Sequence, residues 1–227
     1  MNAAPVPQPD SDAPPLAPAS NPDAANGVCC PHAYRGERGS APAIPLSLAH
    51  RPVLAGLVVP YITARRPSDG AWRFGAIDSD RQHECLHHRL CQVCGHPMRE
   101  VMVFLVRFGV DGIILPDWVA AEVAEPALHP HCLAYTVAAC PMLGGSMTHY
   151  RSTPVQMGEG VLHAPDSGAR LGAPAEHWFE VWVDSYKVAV RTSGQQTTVR
   201  ARLNQRPLRI RALEAHPAHP NRQNGAN

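Results

Sequence analysis

Cysteine and histidine fall in this chain as short pairs with metal-ligand spacing. Cys91 and Cys94 stand in RLCQVCG, and His129 and Cys132 stand in ALHPHC, with 34 residues between the pairs. A Cys-x2-Cys turn brings two thiolates to a common point, and a second pair at i, i+3 on a helix completes a tetrahedron. Zinc, borderline soft and suited to thiolate and imidazole, is the ion this donor set favours. If Pro130 is the first helical residue, His129 sits at the cap and Cys132 in the first turn, where the helix dipole favours a thiolate. Four strong ligands fill the shell, so the metal is expected to be structural.

The neighbouring candidates are weighed against that set. His131 competes with His129, but it directly precedes Cys132, and adjacent helical residues diverge by about 100°. Cys140 lies eight positions past Cys132, roughly 12 Å along a helix at about 1.5 Å per residue, and reads as a packed core thiol. His83, Cys85, His87 and His88 precede the first pair and leave open a second metal or an alternative fourth ligand. Cys29 and Cys30, with His32 nearby in VCCPHAY, adjoin no second ligand pair and read as exposed thiols in a flexible tail. A catalytic zinc needs an open position and a nearby base. The chain carries no HExxH, no deaminase pairing of HxE with PCxxC, and no GxSxG, P-loop or GxGxxG motif. An enzyme reading therefore has no motif behind it; Cys140 or a histidine would have to serve.

Composition narrows the classes. The chain has 227 residues and a formal net charge of +1, so any pull toward nucleic acid or an anionic membrane must come from a local patch. Seven cysteines among 13 histidines suit reduced, metal-binding thiols better than a secreted disulfide framework. The N-terminus lacks a basic segment followed by an apolar one, which makes a cytoplasmic location the default expectation. The apolar run Val53 to Ala64 is interrupted by Pro60 and is shorter than the ~20 residues a membrane helix needs.

The elements that must position these ligands follow from local signals. Residues 1–46 are Ala- and Pro-rich and read as a disordered tail, as do residues 214–227; residues 47–213 are expected to form the folded domain. PVLAGLVVPYITAR reads as a strand, Pro67-Ser68-Asp69-Gly70 as a turn, and AWRFGAID as the returning strand of a hairpin. Asp78 or Ser79 caps a short helix that runs to Arg89 and leads into Cys91. REVMVFLVRFGV and IILPDW suggest a second hairpin, and 117–124 a brief helix capped by Asp117 and stopped by Glu125-Pro126. HPHCLAYTVAACPML reads as a helix begun by Pro130 and ended by Pro141. Residues 144–175 read as a long loop. HWFEVWVDSYKVAVR is the strongest strand signal, and TVRARLNQRPLRIRAL follows with Arg200, Arg202, Arg209 and Arg211 forming one basic face.

The stretches RLCQVCG and EPALHPHCLAYTVAACPML resemble an uncharacterised family of bacterial proteins with a CxVCG knuckle and an EPPxHxxC...CPxL helix. The resemblance covers about Asp78 to Leu143. It implies that His129, rather than His131, takes the motif histidine position beside Cys91, Cys94 and Cys132, while Cys140 matches the motif's last cysteine. Ala127, Leu133 and Thr136 depart from the pattern. No activity follows from it.

The sequence thus predicts an α+β fold: a small treble-clef-like zinc domain with β-hairpins and a β-rich C-terminal part. The leading functional expectation is a zinc-stabilised module that binds a protein or ligand through exposed aromatics such as Trp178 and Trp182. The alternative is a nucleic-acid binder using Arg200, Arg202, Arg206, Arg209 and Arg211; the third is a zinc-stabilised enzyme. A solvated strand face is the plain reading of the arginines.

Overall fold

The computed structural model describes residues 41–107, 112–115, 118–152, 170–193 and 196–213. Cys29, Cys30 and His32, the chain before residue 41, residues 153–169 and the C-terminal tail lie outside these residues. A single 3-10 turn at Leu46–Leu48 buries Leu48. Next come β1 (Val53–Leu54), β2 (Leu57–Val58), β3 (Thr63–Arg65), β4 (Trp72–Ile77) and helix α1 (Ser79–His88). Strands β5 (Met102–Arg107), β6 (Gly112–Leu115) and β7 (Trp118–Val123) precede helix α2 (Pro130–Ala139). The chain ends in β8 (Trp178–Val183), β9 (Lys187–Ser193), β10 (Gln196–Leu203) and β11 (Arg209–Ala212). The fold is mixed, and every strand pairing among the described residues is antiparallel.

Two sheets carry the core. One has the order β11-β8-β5 and the other β6-β7-β10-β9; β1-β2 and β3-β4 are separate two-stranded pairs. Strand β5 is buried along its whole length, because β8 pairs with it over all six residues and the backbone of Val103 exchanges two hydrogen bonds with Leu128 just before α2. Such a strand needs apolar residues on both faces, which MVFLV supplies. Phe104, Met102, Val103, Val106 and Leu128 are among the most deeply buried side chains, and they join Leu86, Cys91, Cys132 and Tyr186 in one core.

Several local signals take the form expected. The Asp78 carboxylate accepts from the Arg81 N–H and caps α1, and Pro130 opens α2 with His129 at its cap. The hairpin of β3 and β4 forms around the 67–70 turn.

Other expectations need correction. Residues 118–123 form a strand, not a helix: β7 is held between β6 and β10, and that pairing overrides a weak local helix signal. Strand β5 pairs with β8, not with β6, which turns back onto β7 instead. The run from Val53 is broken into three short strands: Ala55 and Gly56 both adopt positive φ between β1 and β2, and Pro60 stands between β2 and β3. HWFEVWVDSYKVAVR is two strands in different sheets, separated by a bend at Asp184 and the irregular residues Ser185 and Tyr186. Arg200 and Arg202 therefore lie on β10 and Arg209 and Arg211 on β11, in separate sheets, so they do not share one basic face.

Candidate metal centre

Helix α1 ends at Arg89, whose φ of 53° places it in the left-handed region and turns the chain sharply. Leu90 then bridges Pro97 in a short antiparallel contact, with Cys91 through His96 as the loop between them. The Gly95 N–H donates to the Cys91 carbonyl at 2.8 Å, and the Cys91 N–H donates to the His96 carbonyl at 2.9 Å. The His96 N–H reaches the Cys94 Sγ at 3.4 Å. These bonds close a knuckle that aims both thiols the same way. Gly95 has a φ of +80°, and a Cβ there would lie 2.8 Å from the Tyr61 ring, so the turn demands glycine on two counts.

The other half of the site comes from the start of α2. His129 is the cap residue with extended backbone, and Cys132 lies in the first turn. The ligand atoms of Cys91, Cys94, His129 and Cys132 all lie within 4.8 Å of one another. Zinc bonds of about 2.3 Å to sulfur imply tetrahedral edges of about 3.8 Å, so a small inward movement suffices for coordination. The cysteines are buried and the histidine half-buried. His129 Nδ1 is 3.4 Å from the Cys94 sulfur, while Nε2 lies 3.3 Å from the Pro97 carbonyl. An Nε2–H donated to that carbonyl leaves Nδ1 unprotonated toward the thiols, the tautomer a metal requires. A Cys3His set with an oriented imidazole can hold a metal ion and is compatible with zinc.

The electrostatics of the sulfur cluster point the same way. Hydrogen bonds from the Cys132 and Cys94 thiols favour the Cys91 thiolate and draw its pKa well below the ordinary thiol value. Donation to Cys91 pushes the Cys132 thiol up in turn. The His129 imidazole is raised by its contact with the Cys91 sulfur. Two thiols sharing protons with one thiolate form a site in which a divalent cation can replace protons.

The remaining sequence candidates separate from this cluster. His131 is exposed and stacks on the His129 ring at 4.9 Å. Cys140 caps the far end of α2 and packs against the core, and burial pushes its thiol up. On α1, Cys85 is buried, His83 half-buried, and His87 and His88 exposed. Among the described residues, the Cys3His set is the one group of three or more convergent ligands, and the described cysteines are free thiols.

The aromatic and basic candidates are also placed. Trp178 is only 8% exposed, which corrects its expected role as a surface aromatic. Trp182 is half-buried; its indole N–H donates to the Glu180 carboxylate and the Arg209 guanidinium lies over its ring. Arg202 bonds Glu122 through two nitrogens, and Arg200 donates to the Glu122 carbonyl. Arg211 grips Glu180, which is fully buried. Arg206 is exposed in the loop before β11. Sequence reading missed a different cluster, in which Arg51, Arg65 and Arg81 lie against Tyr61 and Trp72. The faint signal was Arg65 and Trp72 flanking the 67–70 turn, where they become cross-strand partners. Compared with protein-family models, curated proteins and solved structures, the chain matches none of them, and the reading of the site rests on its own geometry.

Proposed function

We propose that this chain is a zinc-organised interaction module, in which a structural zinc ion held by Cys91, Cys94, His129 and Cys132 fixes a treble-clef-like frame. The convergence of four ligand atoms within 4.8 Å carries this reading. The frame consists of a knuckle after one helix and two ligands from the start of another, an arrangement similar to treble-clef modules. Four protein ligands complete the tetrahedral shell, so the metal serves to fasten the knuckle to α2 and the working surface lies elsewhere. Reduced thiols of this kind suit a reducing compartment such as the cytoplasm.

Elemental analysis of the purified full-length chain should find about one zinc per chain. Replacing Cys94 or Cys132 with serine should remove that metal, whereas Cys29→Ser and Cys30→Ser should leave it in place. A folded, metal-free wild-type preparation would refute the proposal, and zinc loss from the Cys29 change would refute the ligand assignment.

A further inference from the structure

The hairpin of β3 and β4, the adjoining Tyr61 and the first turns of α1 carry arginines interleaved with aromatic rings. Arg65 and Trp72 are cross-strand partners, and the guanidinium carbon sits 4.0 Å from the ring centroid. Arg81 lies 5.5 Å from the same ring and 5.4 Å from that of Tyr61, and Arg51 lies 5.4 Å from Tyr61. The order across this face is therefore arginine, tryptophan, arginine, tyrosine, arginine. Arg65 is exposed, and the other four residues are half-buried.

These guanidinium groups are held in place without being used up. Arg81 donates to the Tyr61 carbonyl at 3.1 Å and stands 3.8 Å from Asp78. Arg51 donates to the Val59 carbonyl at 3.2 Å. Each guanidinium carries five donors in a planar fork that suits phosphate, and these contacts leave most of them for an external acceptor. Glu84 and Asp78 are the acids within the cluster, and Glu84 is engaged by the Tyr61 hydroxyl at 2.6 Å. Asp69 at the hairpin tip is paired with both Arg66 and Arg73. Two cations thus flank one ring, and Arg51 is disfavoured as a cation first by burial and then by the charge of Arg81. An anion placed between them relieves that repulsion.

We propose that this face binds single-stranded nucleic acid, with N–H groups of Arg51, Arg65 and Arg81 on phosphates and bases stacking on the guanidinium planes that Trp72 and Tyr61 back. Alternating cations and rings match a polymer that alternates phosphates with planar bases. An acidic peptide would engage the cations and leave the rings idle. Duplex bases are stacked inward and out of reach of such rings. The inference gives the interaction module a partner class, and it rests on the zinc-organised frame. The Tyr61 and Ile62 N–H groups donate to the Val93 and Gln92 carbonyls of the knuckle, so the metal loop positions the face.

The test uses the full-length, zinc-loaded chain and fluorescence anisotropy with labelled oligo-dT and oligo-U strands at low salt. Binding is expected with a log–log salt slope of about −2, as for roughly three neutralised phosphates on a single strand. Arg65→Glu and Trp72→Ala should each weaken it about tenfold, while Arg202→Gln on β10 should not. Arg65→Gln serves if the reversed charge impairs folding, which thermal melts and zinc content of every variant will show. Absence of oligonucleotide binding, equal binding of duplex or of polyglutamate of matching length, or indifference to Trp72→Ala would overturn the inference. A zinc-loaded chain that binds no oligonucleotide would refute this assignment alone. A chain without zinc would refute the proposed function itself.

Discussion

Single residues in this protein are constrained in ways their neighbours are not, and two glycines show the contrast. Gly70 and Gly95 both have positive φ, +68° and +80°, but a Cβ at Gly70 meets nothing within 4 Å, whereas one at Gly95 meets the Tyr61 ring at 2.8 Å. Gly70→Ala should cost only the backbone term of about 1–2 kcal/mol. Gly95→Ala should cost clearly more and should weaken zinc retention, because the knuckle must shift to make room. Chemical denaturation of both variants checks this, and equal losses would show that the Tyr61 contact is soft. Glu180 presents a different constraint. Its carboxylate is fully buried in β8 and satisfied by the Arg211 guanidinium and by the Trp182 indole N–H at 3.1 Å. Arg211 is itself half exposed, so solvent can partly replace it. Arg211→Ala should destabilise by about 1–3 kcal/mol through the orphaned acceptor, and the double change Glu180→Leu/Arg211→Leu should recover part of that loss. Unfolding midpoints of the two variants decide it: a double variant less stable than Arg211→Ala would contradict the reasoning.

Elements are tied to each other here by polar side chains at their ends. The Tyr186 hydroxyl donates at 2.7 Å to the Leu86 carbonyl in the last turn of α1, a group with no partner inside the helix. The Tyr135 hydroxyl of α2 accepts from the Val58 N–H of β2 at 2.8 Å, and the Gln82 side-chain amide donates to the Ala124 carbonyl after β7. Tyr186→Phe should therefore cost about 1–3 kcal/mol without changing the fold, measured by denaturation and circular dichroism. The same region sets a pH dependence. Burial pushes the Tyr186 hydroxyl and the Cys85 thiol up to about 12 each, from ordinary values of 10 and 9. The folded chain keeps protons that the unfolded chain releases, so stability is full below about pH 9 and declines from there toward pH 12. A flat stability profile over that range would count against both assignments, and Tyr186→Phe should flatten it in part. Signals confined to one turn were legible in the sequence, since Asp78 caps α1 and Pro130 opens α2 by local rules. Pairing was not. DWVAAEV satisfies helix and strand patterns alike, and its state is decided by β6 and β10, the latter nearly 80 residues away. The sheet switch between Val183 and Lys187 likewise depends on partners distant in sequence.

At the scale of the whole molecule, the Cys3His cluster joins parts that the chain keeps apart. Cys91 and Cys94 follow α1, His129 and Cys132 begin α2, and three of these four residues belong to the central core beside Leu86, Met102 and Leu128. The convergence of these four residues was legible because metal-ligand chemistry limits such residue types and spacing strongly. The fully buried Glu180 was not, because its alternation within WFEVWV reads as an outward face until β5 and β11 enclose it. Neither sheet is large, and the core they share with the helices includes Cys91, Cys94 and Cys132. A structural zinc ion contributes an apparent ~10–16 kcal/mol in small modules, as much as the ~5–15 kcal/mol of net stability typical of a domain. On the proposed reading, removing it from this chain should abolish cooperative folding, not merely loosen a loop. A strong chelator at neutral pH should eliminate the thermal transition and near-ultraviolet dichroism together, and equimolar zinc should restore both. Acid should act similarly, because protons compete with the metal for thiolates and imidazole as pH falls. A chelated chain that keeps its melting transition would show that the β5-centred core stands without the metal, and would reduce the cluster to a local clasp on the knuckle.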